Sequence, residues 1–230
     1  MDPYEGFAAV YDVWASPMTE DVAFYVDLAQ AADGPVVELA VGTGRVALPV
    51  AQTTGRPVIG IDISEAMLAL ARERAAELEV DLDLRLGDMR ELVLDEPAAL
   101  ITCPFRSLLH LPTWHDRRRT FERVAASLRP GGRFAWNAFI FDPKIASAID
   151  GRWRDEAAVR HRVDYFPADN RLTVTLDSGA TTTLWWVSLS EWMGLIDVAG
   201  LEVEGLYGWF DHRPFDEESR ELVCVARKPE

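Results

Sequence analysis

The chain is poor in the residues that build disulfide frameworks and metal centres. Its 230 residues include 2 cysteines and 4 histidines, and neither cysteine has the neighbouring Cys or His spacing of a zinc site. Cys103 and Cys224 fall in apolar runs, which reads as packed, reduced thiols. No apolar run approaches the roughly 18 uninterrupted residues that a membrane span requires. The opening residues Met1-Asp2-Pro3-Tyr4-Glu5 are acidic where an export signal is basic and then apolar. The expectation is a cytoplasmic protein with no membrane partner and no metal. Positive charge is also scarce: 23 Lys and Arg stand against 38 Asp and Glu, a net charge of -15. That balance repels a phosphate backbone, and the one dense basic run, Arg117-Arg118-Arg119, reads as the solvated face of a helix. The charge therefore argues against nucleic acid as a partner.

What is present is a globular composition, 49% hydrophobic and 27% charged, on a chain too short for two full catalytic domains. Internal repeats, low-complexity tracts and Ser/Gly linkers are lacking. After a helical segment ending near residue 32, strand and helix patterns alternate. Val36-Val37-Glu38-Leu39 suits a buried strand, a glycine turn leads into a helix over 45–53, and Val58 to Asp62 is the next strand. Ser64 caps a helix whose apolar positions Met67, Leu68, Ala71, Ala75 and Leu78 keep helical spacing. Strands over 82–86, 100–103 and 132–139 follow, with an amphipathic helix over 113–128 before the last and a helix-ending turn over 128–132. Such alternation predicts right-handed crossovers and a parallel, doubly wound α/β sheet. Past Phe141 the period changes to two. Residues 160–187 alternate apolar and polar, broken at Pro167-Ala168-Asp169-Asn170 and Asp177-Ser178-Gly179, as in antiparallel strands joined by tight turns. A short helix from Ser190 and strands over 201–207 and 222–226 close the chain. The reading is one domain over 1–230, with an N-terminal helical lid (1–32) and an inserted antiparallel β segment (142–189).

The run Glu38-Leu39-Ala40-Val41-Gly42-Thr43-Gly44-Arg45-Val46-Ala47 is a strand, a glycine turn and a helix start, where backbone passes close to a ligand. On its own this turn is ambiguous. Gly42, Gly44 and Ala47, with Asp62 ending the next strand, also satisfy the dinucleotide fingerprint, so an NAD(P)-dependent oxidoreductase is a rival. Two acids separate the readings. Glu38 beside the turn suits an ammonium or sulfonium and opposes a pyrophosphate. Asp88, in Gly87-Asp88-Met89 at the end of the third strand, can hold an adenine amino group while Met89 packs on the ring. Asp62 and Asp88 could each instead serve as a helix cap.

In order and spacing, Val36 to Arg45, Gly60-Ile61-Asp62-Ile63-Ser64-Glu65-Ala66-Met67-Leu68, Gly87-Asp88-Met89 and Leu128-Arg129-Pro130-Gly131-Gly132 resemble the class I S-adenosylmethionine-dependent methyltransferases. The resemblance is close over about residues 20 to 140. It implies a Rossmann-like, seven-stranded, mostly parallel sheet with a reversed final hairpin. It also implies S-adenosylmethionine as cofactor and S-adenosylhomocysteine as product. Carried over, Gly42 and Gly44 approach the methionine part beside Glu38, Asp62 binds both ribose hydroxyls, Ile63 and Met89 flank adenine, and Asp88 holds its amino group. Cys103 at the end of the fourth strand and Tyr11, from an N-terminal helix closing over the methionine end, complete the cofactor set. Ala40 stands where the family often has the first glycine of its turn. A cofactor-binding protein without turnover is a further alternative.

Ligands of open α/β sheets bind beyond the carboxyl ends of the strands, which places the methyl acceptor near 103–110 and 137–141. His110 is the candidate to orient or deprotonate it, with an ordinary structural histidine as the alternative. Phe7, Tyr11 and Trp14 recur at helical spacing, and Trp185, Trp186, Trp209 and Phe210 lie in the insert and the last loop. They read as core and lid packing, or as an aromatic wall around a cation. Cys103-Pro104-Phe105 departs from the Asn/Asp-Pro-Pro-Tyr/Phe signature of base methylation. A small-molecule acceptor, methylated at N or O, is the expectation, on a monomer or a homodimer with the insert as roof or dimer face.

Overall fold

The computed structural model describes residues 19–156 and 159–230. Its frame starts from runs too apolar to face water on either side. In β1 (Val36–Leu39) every residue is buried, as in β4 (Ala98–Cys103), which only a sheet covered on both faces permits. With β2 (Val58–Asp62), β3 (Leu82–Leu86), β5 (Leu128–Phe139), β10 (Glu202–Tyr207) and β11 (Glu221–Arg227) they form one seven-stranded sheet in the order β10-β11-β5-β4-β1-β2-β3. The first five strands are parallel, and β11 runs antiparallel between β5 and β10. This is the Rossmann-like arrangement with a reversed last hairpin. The chain winds outward from β1 through β2 to β3 and then returns to β4 on the other side, so the order reverses between β1 and β4, where open sheets place their ligands.

Helices cover both faces. Phe24 and Tyr25 of α1 (Glu20–Ala31), Val50 of α2 (Ala47–Thr54) and Leu68 of α3 (Glu65–Glu77) pack into one apolar cluster. Phe121 of α4 (Trp114–Ser127) and Trp192 of α6 (Leu189–Val198) pack into the other. There Phe121 meets Trp136 edge to face at 5.1 Å and Phe134 stacks on Trp136 at 4.8 Å, aromatic burial that anchors β5.

Between β5 and α6 lie α5 (Pro143–Ile149) and an antiparallel sheet of β6 (Trp153–Glu156), β7 (Val159–Phe166), β8 (Arg171–Leu176) and β9 (Thr181–Trp185), paired in that order. The two turn signals lie where the strands reverse, with Asn170 at φ 52° and Gly179 at φ 89°, left-handed backbone that Asn and Gly tolerate. Two differences from the sequence reading stand out. Four strands form the insert, because β6, too short and polar to show a period, is recruited by pairing Trp153 to Glu156 against β7. Residues 128–132 begin β5, held because Gly131 N–H donates to the Lys228 carbonyl at 2.9 Å.

Candidate functional site

The turn after β1 rests on left-handed backbone: Ala40, Gly42 and Gly44 have φ of 53°, 55° and 82°. Glycine takes this region freely, whereas alanine is strained there by roughly 1–2 kcal/mol. Asp62, buried at the end of β2, ties the turn down. Its Oδ2 accepts the Gly42 N–H at 2.8 Å and its Oδ1 accepts the Ser64 N–H at 2.9 Å. Ser64 Oγ in turn accepts the Met67 N–H at 3.3 Å and caps α3. Asp62 is therefore structural in its own right, where the sequence suggested a carboxylate serving mainly a ligand.

Behind the turn the charges are unbalanced. Glu38 is buried, and burial pushes its carboxyl well above the usual carboxylate range; Arg45 pulls it down while Asp21 and Asp62 push it further up. Asp21, fully buried on α1, takes Arg45 in a two-point ion pair at 2.7 and 2.6 Å. A cation entering beside the turn would draw Glu38 back to its charged form, whereas a pyrophosphate would face Asp21 and Asp62 with a single guanidinium between them.

Asp88, after β3, caps the 3-10 turn Met89–Glu91 by accepting the Arg90 N–H at 2.9 Å, and it also accepts from the Arg90 guanidinium Nε at 2.9 Å. That bond holds its carboxyl below the ordinary range. Arg90 reaches on to Asp116 of α4 at 3.0 Å.

After β4 the loop turns through two consecutive non-glycine residues in the left-handed region, Phe105 (φ 56°) and Arg106 (φ 64°), a strain of the kind that collects at functional sites. Side chains hold it in place. Arg45 lies over the Phe105 ring at 4.8 Å. The Arg106 guanidinium donates through Nη2 to Glu221 at 2.7 Å. Glu221, buried at the start of β11, also accepts from Asn137 Nδ2 at 2.6 Å, and Asn137 Oδ1 accepts the Tyr25 hydroxyl at 3.1 Å. A buried polar chain thus links the loop to α1.

The loop ends in the 3-10 turn Ser107–His110. His110 Nδ1 lies 3.0 Å from the Thr183 carbonyl oxygen of β9. A carbonyl only accepts, so in the neutral ring Nδ1 carries the proton and Nε2 the lone pair. Burial lowers the His110 pKa to about 4, which keeps the ring neutral at physiological pH.

Two cavities open along these strand ends. One, of about 470 Å³, is bounded by Ala40, Gly42, Asp62, Ile63, Asp88 and Met89. The other, of about 440 Å³, lies under the antiparallel sheet and is walled by apolar groups including Phe139, Phe141, Tyr165, Leu172 and Leu184. Ser107, His110 and Thr182 border both. Among the described residues no helix is long and apolar enough to cross a membrane, and no cluster of three or more His, Cys, Asp or Glu could hold a metal ion.

Residues 36–132 match the methyltransferase domain family. Over 97% of its length the chain superposes on 96% of the CcbJ methyltransferase of Streptomyces caelestis, with a TM-score of 0.81 and 28% identity. The matched span and the fold are those of the class I S-adenosylmethionine-dependent methyltransferases. Among curated relatives it is 35% identical to YqeM of Bacillus subtilis over 133 residues, 56% of this chain and 52% of that protein, so it spans about half of YqeM. It is 25% identical to the cypemycin N-terminal methyltransferase of a Streptomyces species over 209 residues, 84% of this chain and 82% of that one. Neither the matches nor the acid-rich turn supports the nicotinamide rival.

The first cavity fits this methyltransferase family's cofactor in charge and in shape. A sulfonium or ammonium would draw the buried Glu38 into its charged form, the left-handed turn lets backbone approach closely, and Ile63, Met67 and Met89 offer apolar walls. Of the residues singled out in the sequence, Ala40, Gly42, Asp62, Ile63, Asp88 and Met89 come together there, and His110 sits at its junction with the second cavity. Glu38 and Gly44 stand behind the lining, and Cys103 is wholly buried in the core. Tyr11, like Phe7 and Trp14, lies outside the described residues. Sequence reasoning missed Thr182, whose strand carries no motif, and Glu221, whose only signal was an acid opening an apolar strand.

Proposed function

We propose that this single-domain chain transfers a methyl group from S-adenosylmethionine to the nitrogen or oxygen of a small molecule, with the 470 Å³ cavity as cofactor site and the 440 Å³ cavity as acceptor site. The observation that carries the proposal is that two separate cavities meet at Ser107, His110 and Thr182. Asp62 receives the ribose hydroxyls, Asp88 and the flanking Ile63 and Met89 the adenine, and the Ala40 to Gly44 turn with Glu38 behind it the methionine end. Bound there, the cofactor supplies an electrophilic methyl group on a positively charged sulfur.

What the chain adds is placement, which for an in-line displacement provides much of the acceleration. His110, held by Thr183 where the two cavities meet, is placed to take an acceptor N–H or O–H. With a pKa of about 4 it is too weak a base to deprotonate an amine fully, so it orients the nucleophile and partly accepts its proton. The apolar walls of the second cavity exclude water and favour an acceptor with a substantial apolar body. The relative named as an N-terminal methyltransferase supports nitrogen as one acceptor atom. The net charge of -15 opposes nucleic acid, and we place the protein in the cytoplasm as a monomer or homodimer.

Calorimetry with S-adenosylhomocysteine and with NAD is the direct test. Micromolar binding of the first and none of the second is the expected result, and the reverse would refute the assignment. A panel of amines, phenols, carboxylates and thiols with labelled S-adenosylmethionine then identifies the acceptor. Cofactor binding with no methylated product from any of them would favour a binding protein without turnover.

A further inference from the structure

Strand β9 has a position that its sequence does not reveal. It is the edge strand of the inserted sheet, paired on one side to β8, and its side chains point alternately to two faces. Leu184 turns into the acceptor cavity, while Thr181, Thr183 and Trp185 line the other cavity, opposite the Gly42 turn and Asp62; Thr182 borders both. The strand is thus a partition between the two cavities. The neighbouring aromatics are used otherwise: Trp186 stacks on Phe141 at 4.0 Å, and Phe210 packs against Phe24 at 5.9 Å. Trp185 is half-buried on the cofactor side.

We propose that the inserted sheet is a second half of the cofactor site as well as the roof of the acceptor site, with Trp185 as an aromatic wall against the bound S-adenosyl group. This rests on the assignment of the 470 Å³ cavity to the cofactor. The insert lies outside residues 36–132 that match the methyltransferase domain family, so nothing in that match assigns the residues of β9 to the cofactor. An indole face suits both partners on offer, since an adenine ring stacks on it and a sulfonium is attracted to its quadrupole. Because β9 also holds His110 through the Thr183 carbonyl, cofactor contact on one face of the strand steadies the residue that orients the acceptor.

Two measurements on the whole protein test this with S-adenosylhomocysteine as probe. In calorimetry Trp185→Ala is expected to bind at least fivefold more weakly than the parent, with Trp185→Phe within about twofold of it. Trp153→Ala, on the far strand β6 at a position that lines neither cavity, is expected to bind like the parent. Binding of Trp185→Ala equal to the parent would overturn the proposal. Should Trp185→Ala fail to fold, hydrogen exchange on the parent decides. Saturating S-adenosylhomocysteine is expected to slow amide exchange in 181–185 as well as in 38–44 and 62–64. Protection of the latter two without the first refutes the role of β9. No binding and no protection anywhere refutes the cofactor assignment itself, and the role of β9 with it.

Discussion

In the seven-stranded sheet β1 and β4 are buried at every residue, whereas β8 of the inserted sheet buries every second one. The first sheet is covered by helices on both faces, so it reaches the cavities where its strands end, as at Ala40, Asp62 and Asp88. The inserted sheet is covered on one face, and its contribution to the site comes from along the strands, at Tyr165, Leu172, Thr182 and Leu184. Residues at strand ends sit in turns with their own local chemistry and can be recognised as short motifs. Residues along a strand look like any packed strand until their neighbours are known. The strand-end part of the site is therefore written in local signals, and the part that the inserted sheet gives to both cavities in tertiary contacts.

The sharpest way to break this comparison is Asp62→Ala, at a strand end. The carboxylate accepts two backbone N–H groups, and each buried donor left unsatisfied costs about 1–3 kcal/mol. The variant is expected to bind S-adenosylhomocysteine at least tenfold more weakly and also to melt several degrees lower, at about 2–4 °C per kcal/mol for a chain of this size. Calorimetry and a thermal melt of the same sample check both halves. Unchanged affinity with a lowered melting temperature would leave Asp62 as a structural tie alone.

Next in size is Glu221→Ala at the seam between the two sheets. Removing this carboxylate strands Asn137 in the core and leaves Arg106 without its partner. A fully buried pair broken in this way costs about 3–5 kcal/mol; Arg106 is partly exposed, so a loss of about 2 kcal/mol is expected, read in urea unfolding. Cofactor affinity should change little. A large loss of affinity would mean that the polar chain to Tyr25 couples the acceptor loop to the cofactor cavity.

His110 gives a pH test of the same seam. Its folded pKa, about 4, lies below the unfolded value, so between roughly pH 6.5 and 4 the unfolded chain binds the extra proton. The stability that depends on a neutral His110 is complete above about pH 6.5 and falls as the pH drops toward 4. Melting temperatures from pH 7 to pH 5 should decline less steeply in His110→Gln than in the parent. Equal slopes would show that the ring titrates normally and is not shut in between the sheets. Turnover by His110→Gln should be reduced, with S-adenosylhomocysteine binding preserved.

The smallest effect is expected from Ala40→Gly. Relief of the left-handed strain at φ 53° is worth about 1–2 kcal/mol, and the added freedom of the unfolded chain takes back about 0.4–1 kcal/mol. A rise in melting temperature of no more than a few degrees, with unchanged cofactor affinity, is the expected outcome of a scanning calorimetry run. A fall would show that the Ala40 methyl packs to advantage against its surroundings.

What the sequence determined by itself was local. Four buried residues in β1, a turn that needs left-handed backbone, a serine cap and an acid at each of two strand ends are each set by residues within about ten positions of themselves. Hydrophobic period and turn chemistry act over that range, which is why the parallel frame, the Gly42 turn and the cofactor-side residues were legible. The sequence also showed that 160–187 would alternate and turn back on itself. Tertiary structure alone decided where that sheet would lie and which of its faces would meet which cavity. Thr182 and Trp185 stand more than 100 residues along the chain from Asp62 and border the same space, and Arg106 meets Glu221 at a separation of 115. No local propensity encodes such pairings. They arise from burying two sheets and their helices together, a condition on the whole chain, and they bring His110 and Trp185 to the border of one cavity.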